Sequence, residues 1–339
     1  MKFSLPKRQV FALLISILVS VVALFATFRG VDFNSFWAQT TKVKMGVFLL
    51  SYLSAGLGFL CIALRIKILV GTQHPFSFKD ALRSVFAGYL GNAVLPARIG
   101  EFLKAGYISF RTGLSPGLSI ALIAVERVID LALVIAFSLW VLPLALGSGA
   151  LGPGVWLAVA IAAAGCCVLV VATFQSMLFM KVVRYVLSFL GAKLERLILP
   201  IAQQVLDGLG ALKKKKDAFY VILLSVFYWL FSLVTLHVWT LAFDLEVPWY
   251  ASFLLLAFLA VGTALPAAAA YVGTYHFAVV AALSVMDTPK SRAAAVAVFV
   301  HAAGMIPWVI LGALLVGPTV LSRSTKRIAD KPSDKGDII

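Results

Sequence analysis

Apolar residues run along this chain in long unbroken blocks, with neither the alternation of a half-buried strand nor the single stripe of a surface helix. Blocks near 10–28, 45–64, 118–142, 154–175, 218–243 and 292–317 each approach the ~20 residues that carry a helix across a hydrocarbon core of about 30 Å. The first follows Lys2, Lys7 and Arg8 and has no clear small-x-small cleavage site after it, so it reads as a retained span. Two more apolar stretches are broken near the middle. Ser84–Ser109 contains Gly88, Gly91, Pro96, Gly100 and Gly106, and Phe253–Met286 contains Gly262, Pro266 and Gly273. Between them, Met177–Leu212 steps by threes and fours through Val183, Leu187, Leu190, Leu194, Leu197 and Ile201, with Lys181, Arg184, Lys193 and Arg196 at polar positions. That spacing predicts an amphipathic helix kinked at Pro200 and followed by the basic run Lys213, Lys214, Lys215 and Lys216, which either lies in the membrane interface or serves as a topology determinant and solvated linker.

Composition agrees with the pattern. Hydrophobic residues make up 62% of the 339 and charged residues 13%, against about 45–50% and 25% in soluble domains, and mean hydropathy is +1.02. These values predict an all-α polytopic membrane protein. The formal charge of +15 suits either nucleic acid or the basic cytoplasmic loops of a membrane protein. Placement decides. With a cytoplasmic N-terminus and both broken stretches returning to their starting side, 21 of the 29 Lys and Arg fall inside, 5 outside and 3 within apolar segments. One crossing per broken stretch would leave 12 inside and 14 outside, whereas a re-entrant hairpin and a pair of crossings give the same count. The basicity therefore follows topology, with no aromatic-interleaved patch, and no nucleic-acid partner is expected.

Each half then reads span, span, hairpin, span, the first starting inside and the second outside. Each hairpin carries Leu-Pro near its tip, at Leu95-Pro96 and Leu265-Pro266. The expected fold is an inverted-topology repeat of about six full spans plus two re-entrant helical hairpins. Residues 1–321 form the transmembrane domain, with repeat one at 10–142, repeat two at 154–317 and the interfacial helix 177–212. A basic cytoplasmic tail, 322–339, completes the chain, placing both termini in the cytoplasm.

A few charges lie where topology does not ask for them. Arg98, Glu101, Glu126, Arg127 and Asp130 sit in apolar segments, where an ionised side chain costs about 2.5–3.5 kcal/mol at a helix centre. Lys104 is a sixth, placed to snorkel. Glu126 and Asp130, four apart, share a helical face. Counting 1.5 Å per residue places Arg98 within reach of one or the other. Two readings stay open: an ion-pair cluster that pins the hairpin, or a polar site for a charged headgroup. For the second, a helical arm starting near Ala97 would aim free N–H groups at a phosphate, with Arg98 beside them and Asn92 and its glycines allowing close approach. The second hairpin offers the neutral groups Thr263, Tyr271, Thr274, Tyr275 and His276, as an outer path or as interface aromatics.

Asn92-x-x-Leu95-Pro96-x-Arg98-x-Gly100-Glu101, followed by Glu126-Arg127-x-x-Asp130, resembles the lysylphosphatidylglycerol synthase transmembrane-region family over roughly residues 10–317. Leu265-Pro266 and Gly273 fit the same pattern, although Ala267–Ala270 stand where the first hairpin has Arg98 and its neighbours. The resemblance implies a flippase-like protein of a prokaryotic plasma membrane that moves a phospholipid or polyprenyl-phosphate-type lipid between leaflets. The soluble aminoacyl-lipid synthase domain of some members is not expected, since only a basic tail follows Gly317. No metal, cofactor or catalytic residue is expected: Cys61, Cys166 and Cys167 lack metal spacing, and HExxH, Walker A and GxSxG are absent. Expected partners are the lipid substrate and anionic lipids at Lys213–Lys216, with room for a separate lipid-modifying enzyme or a homo-oligomer. Two other functions compete: a membrane glycosyltransferase using a lipid-linked sugar, resting on Asp32, and a non-transporting partner of a separate synthase.

Overall fold

The computed structural model describes residues 7–96, 98–146, 175–265 and 267–329. Among them are twelve α-helices and no strand: α1 (Lys7–Phe28), α2 (Phe33–Thr40), α3 (Met45–Gly71), α4 (Phe78–Val94), α5 (Gly100–Thr112), α6 (Pro116–Leu146), α7 (Ser176–Leu190), α8 (Ala192–Leu209), α9 (Lys215–Ala242), α10 (Ala251–Ala264), α11 (Thr274–Ser284) and α12 (Lys290–Ala329). The expected span 154–175 lies outside the described residues save its last, as do Cys166, Cys167, Ala97, Pro266 and the tail beyond Ala329.

Among the described residues, α3, α9 and the Lys290–Pro318 part of α12 are long and apolar enough to cross a membrane, and α1 with α2 makes a fourth if that pair, bent by 93°, is one span. α6 has 31 residues, about 46 Å at 1.5 Å per residue, and carries three ionisable side chains in its first half. The helices are amphipathic inside out. On α3, Leu50, Leu53, Leu57, Leu60 and Leu64 form an exposed apolar row, whereas Ser16, Ser20 and Thr27 of α1 are buried. Rows of that length suit contact with lipid.

α3 and α9 form the central pair and run antiparallel. Lys44 N–H donates to Ala242 O at 2.8 Å, Ser54 Oγ to Phe231 O at 2.7 Å and Arg65 Nη1 to Ser225 Oγ at 2.8 Å, so numbers fall on one helix as they rise on the other. Around this pair, α4 packs on α12 and α10 packs on α6, so each broken stretch leans on the last helix of the other half.

Both broken stretches fold back on themselves. α4 and α5 are antiparallel: Asp80 pairs with Arg111, Gly88 lies against Lys104 and Gly91 against Gly100. A Cβ on Gly100 would stand 2.0 Å from Gly88 O, so only glycine lets the arms close here. In the second stretch, Gly262 of α10 lies against Thr274 and Ala278 of α11. Ser77 starts α4, its Oγ accepting from Asp80 N–H at 3.1 Å, and Gly113, at φ 75°, ends α5.

Four elements depart from expectation. α2 forms in the predicted loop 29–44 because Asp32 caps it, accepting from Asn34 N–H at 3.1 Å and Ser35 N–H at 3.2 Å. α3 runs past residue 64 to Gly71, so Arg65 belongs to the helix and not to the following loop. Segment 177–212 is two helices, broken at Gly191 (φ 95°), while Pro200 sits within α8. α8 packs on α6, with Gly208 against Ala121, while α7 exposes Met177, Leu178, Val182, Tyr185 and Phe189. α12 continues as helix into the expected tail, to Ala329.

Candidate functional site

The displaced charges form one alternating chain of ions across α3, α5 and α6. Glu126 and Asp130 share a face of α6, and that face meets α3 at Arg65. The Arg65 guanidinium forks, with Nε 3.1 Å from Glu126 Oε1, Nη1 2.6 Å from Asp130 Oδ1 and Nη2 3.0 Å from Asp130 Oδ2. The planar fork of arginine is the donor set that can engage two carboxylates at once. Lys104 of α5 donates to Glu126 Oε2, and Trp229 Nε1 of α9 donates to Asp130 Oδ1 at 3.2 Å. Arg127, turned to the next face, lies 3.2 Å from Asp130 and 3.8 Å from Glu101. Arg65 and Glu126 are fully buried, so removing either would strand a charge in a medium of low dielectric constant.

This geometry corrects three expectations. Arg98 does not approach Glu126 or Asp130; Arg65 and Lys104 take those carboxylates. Lys104 does not snorkel: it is buried, and its methylene stem lies against Gly88. The first turn of α5 does not aim free N–H groups inward, since the helix starts at Gly100, whose N–H donates to Asn92 Oδ1 at 2.9 Å. Glu101 N–H bonds Arg98 O, and Phe102 and Leu103 N–H bond Ile99 O. Asn92 is thus a cap, and a cation outside the chain of ions becomes the group able to take an anion.

That cation is Arg98. It is exposed, and among the described residues no carboxylate lies within 4.0 Å of it. Its guanidinium carbon stands 5.6 Å from the Tyr271 ring centroid, over the tip of the second hairpin. Both residues hold a left-handed backbone, φ 57° each, as does Ala270 at 59°. Side chains carried by other elements brace this second tip. Ser20 Oγ accepts from Ala268 N–H at 2.8 Å, His276 Nδ1 from Gly273 N–H at 3.2 Å, and His301 Nε2 lies 2.8 Å from Ala270 O.

A cavity of about 420 Å³ opens between the hairpins and the α3–α9 pair. Its lining takes in the charged Arg98, Glu101, Lys104 and Arg127, the polar and ring side chains of Thr235, Trp239, Thr263, Tyr275 and His301, and the aromatic Tyr89, Tyr228 and Trp308. Of the expected second-hairpin residues, Thr263, Tyr271 and Tyr275 line the cavity, whereas Thr274 and His276 are buried within the hairpin. Glu126 and Asp130 stand behind the wall. Arg65 was missed because the apolar block 45–64 stops just before it, yet Ile66, Ile68, Leu69 and Val70 continue the helical run, the signal that could have found it. The wall of Tyr228, Trp229 and Trp239 on α9 had no signal beyond aromatic content.

No curated protein matches this sequence. The model for the lysylphosphatidylglycerol synthase TM region matches residues 13–312, which takes in both hairpins, the ionic chain and the cavity. With helices among the described residues long and apolar enough to cross a membrane, and with that match, the chain is a membrane protein and belongs to the lysylphosphatidylglycerol synthase TM region family.

Proposed function

We propose that this protein is a lipid transporter that moves a phospholipid or polyprenyl-phosphate-type lipid between leaflets, with the headgroup phosphate taken by Arg98 in the cavity between the hairpins. The observation that carries the reading is a cation left without a carboxylate, inside a cavity walled by aromatic and hydroxyl side chains. Guanidinium binds phosphate through paired N–H donors. The buried ionic chain serves a separate purpose: it fastens α5 and α6 to α3 so that the first hairpin stays in place. The charged cluster then both pins the hairpin and borders a headgroup site.

An inverted-topology repeat supports transport by alternating exposure of that site. The antiparallel α3 and α9, the reciprocal leaning of α4 on α12 and of α10 on α6, and two folded-back hairpins are what such a repeat requires. The charge distribution favours cytoplasmic termini in a plasma membrane, and the exposed Lys213–Lys216 would meet its anionic leaflet. The glycosyltransferase reading is weaker, because the Asp32 carboxylate is engaged in capping α2. We infer a non-enzymatic role.

The test is leaflet transfer by the purified chain in proteoliposomes, using lipids labelled on the headgroup side. Transfer that depends on Arg98 is expected; a chain that moves no lipid would overturn the reading. Labelling of a cysteine placed at Ser115 from inside only, in a background without native cysteines, would support the re-entrant hairpin, and labelling from outside would break it.

A further inference from the structure

We propose that the cavity selects lipids whose headgroup carries a net charge of −1, a phosphodiester bearing an uncharged hydroxylated substituent, and rejects aminated headgroups. This rests on the lipid-binding reading above and names its substrate class. The basis is the charge balance of the cluster. Arg65, Arg98, Lys104 and Arg127 supply four positive charges, and Glu101, Glu126 and Asp130 supply three negative ones. Each carboxylate already faces at least one of Arg65, Lys104 and Arg127, so the surplus is one positive charge, at Arg98. Surrounded by helices and lipid, an unbalanced charge interacts far more strongly than in water.

A phosphodiester with a hydroxylated substituent brings the cluster to neutrality. A phosphoethanolamine headgroup, being zwitterionic, leaves it at +1, and an aminoacylated phosphoglycerol raises it to +2. The neutral polar groups of the cavity lining point the same way. Thr235 and Thr263 spend their O–H groups on Phe231 O at 2.9 Å and Leu259 O at 2.7 Å, which leaves their lone pairs open. His301 directs Nε2 at Ala270 O, so Nε2 carries the proton and Nδ1 is an acceptor. Acceptors of this kind suit hydroxyl donors. An ammonium would meet them too, but among the described residues no acidic side chain other than Glu101 lines the cavity, and a buried cation without a counter-charge is costly. The one acidic residue on the wall, Glu101, faces Arg127.

Two lipid sources share this chemistry, a phosphatidylglycerol and a polyprenyl phosphate esterified to a neutral sugar. The test is competitive binding, read by native mass spectrometry on the full chain. It is offered an equimolar mixture of those two lipids with phosphatidylethanolamine, lysylphosphatidylglycerol and phosphatidic acid. One or both of the first two should be bound at least about tenfold over either amine-bearing lipid, and their ratio identifies the source. Arg98→Gln should bring all five to within about twofold, and Glu101→Gln, which adds a positive charge to the balance, should shift preference about tenfold toward phosphatidic acid. Amine-bearing lipids bound as well as the hydroxylated ones, or selectivity that survives Arg98→Gln, would overturn the inference. Binding is read without transport, so the two readings fail separately. Selective binding without leaflet transfer discards transport alone; indiscriminate binding by a chain that transfers lipid discards the selectivity alone.

Discussion

Arg98 and Tyr271 meet where the two hairpin tips face each other, the guanidinium carbon 5.6 Å from the ring centroid, and both hold φ at 57°. Each sits at the tip of its hairpin, just ahead of the helix that forms the returning arm. Left-handed backbone at a non-glycine residue costs of order 1–3 kcal/mol and persists only where the surroundings impose it. Here the two tips brace each other, and the same contact presents the arginine to the cavity.

Replacing Arg98 should therefore separate stability from function. Arg98→Gly relieves the left-handed backbone and should raise stability by about 1 kcal/mol, while headgroup-dependent leaflet transfer falls at least about tenfold for want of the bidentate donor. Thermal unfolding in detergent and a proteoliposome transfer assay on the same preparation check both halves. Unchanged transfer would remove Arg98 from the site.

Arg65 should behave in the opposite way. Arg65→Met leaves the buried cluster one positive charge short, with only Lys104 on Glu126 and Arg127 on Asp130, and should destabilise by about 3–5 kcal/mol. Adding Asp130→Leu removes one charge of each sign from the cluster and should restore more than half of the loss. Unfolding midpoints of the single and double variants measure the coupling. A mild effect of Arg65→Met would mean that water reaches the network.

Hairpin closure should depend on position more than on glycine content. Gly100→Ala places a methyl 2.0 Å from Gly88 O, a backbone atom that cannot step aside, and should cost at least about 2 kcal/mol. Gly106→Ala on the same helix meets nothing within 4 Å and should be neutral or stabilise by up to about 1 kcal/mol. Comparing their midpoints checks this; equal effects would show that the arms do not touch as described.

Asp80, at the mouth of the first hairpin and outside the spanning segments, makes the closure pH-dependent. Burial pushes its carboxyl up, but hydrogen bonds from Ser77 and Arg111 and the Arg111 charge outweigh burial, holding it below its ordinary value of 3.8. A depressed carboxyl stabilises the fold above its unfolded value and loses that contribution as pH falls through the folded one. Asp80→Asn should cost about 1 kcal/mol at pH 7, and the gap to the parent should close as pH drops below 3.8. A gap that did not narrow at all as pH fell below 3.8 would show that the carboxylate charge is irrelevant.

Much of the fold was legible without coordinates. Continuous apolar blocks marked α1, α3, α6, α9 and α12, and a Gly-rich break with Leu-Pro in each odd stretch marked where α4 turns to α5 and α10 to α11. Helical periodicity showed that Glu126 and Asp130 share a face. It could not show which cation that face meets. Arg65 was read as a loop residue because it follows an apolar block and resembles a topology-setting charge. The expected Arg98 contact followed from depth alone, which counts residues along an axis and says nothing of rotation about it. The break at Gly191 was likewise hidden, since the apolar spacing runs on through it.

What the sequence determined by itself was local: which segments are apolar enough to be helices in a membrane, where glycine and proline interrupt them, and which charges topology cannot explain. Only the tertiary structure decided that Arg65, not Arg98, holds the two carboxylates, and that Arg98 is left over the Tyr271 ring facing a cavity. A repeat of 3.6 residues assigns each side chain to a face of its own helix. The partner of that face depends on where α3 extends, how α6 is turned, and how closely glycine lets α5 approach, and those are properties of helices packed together.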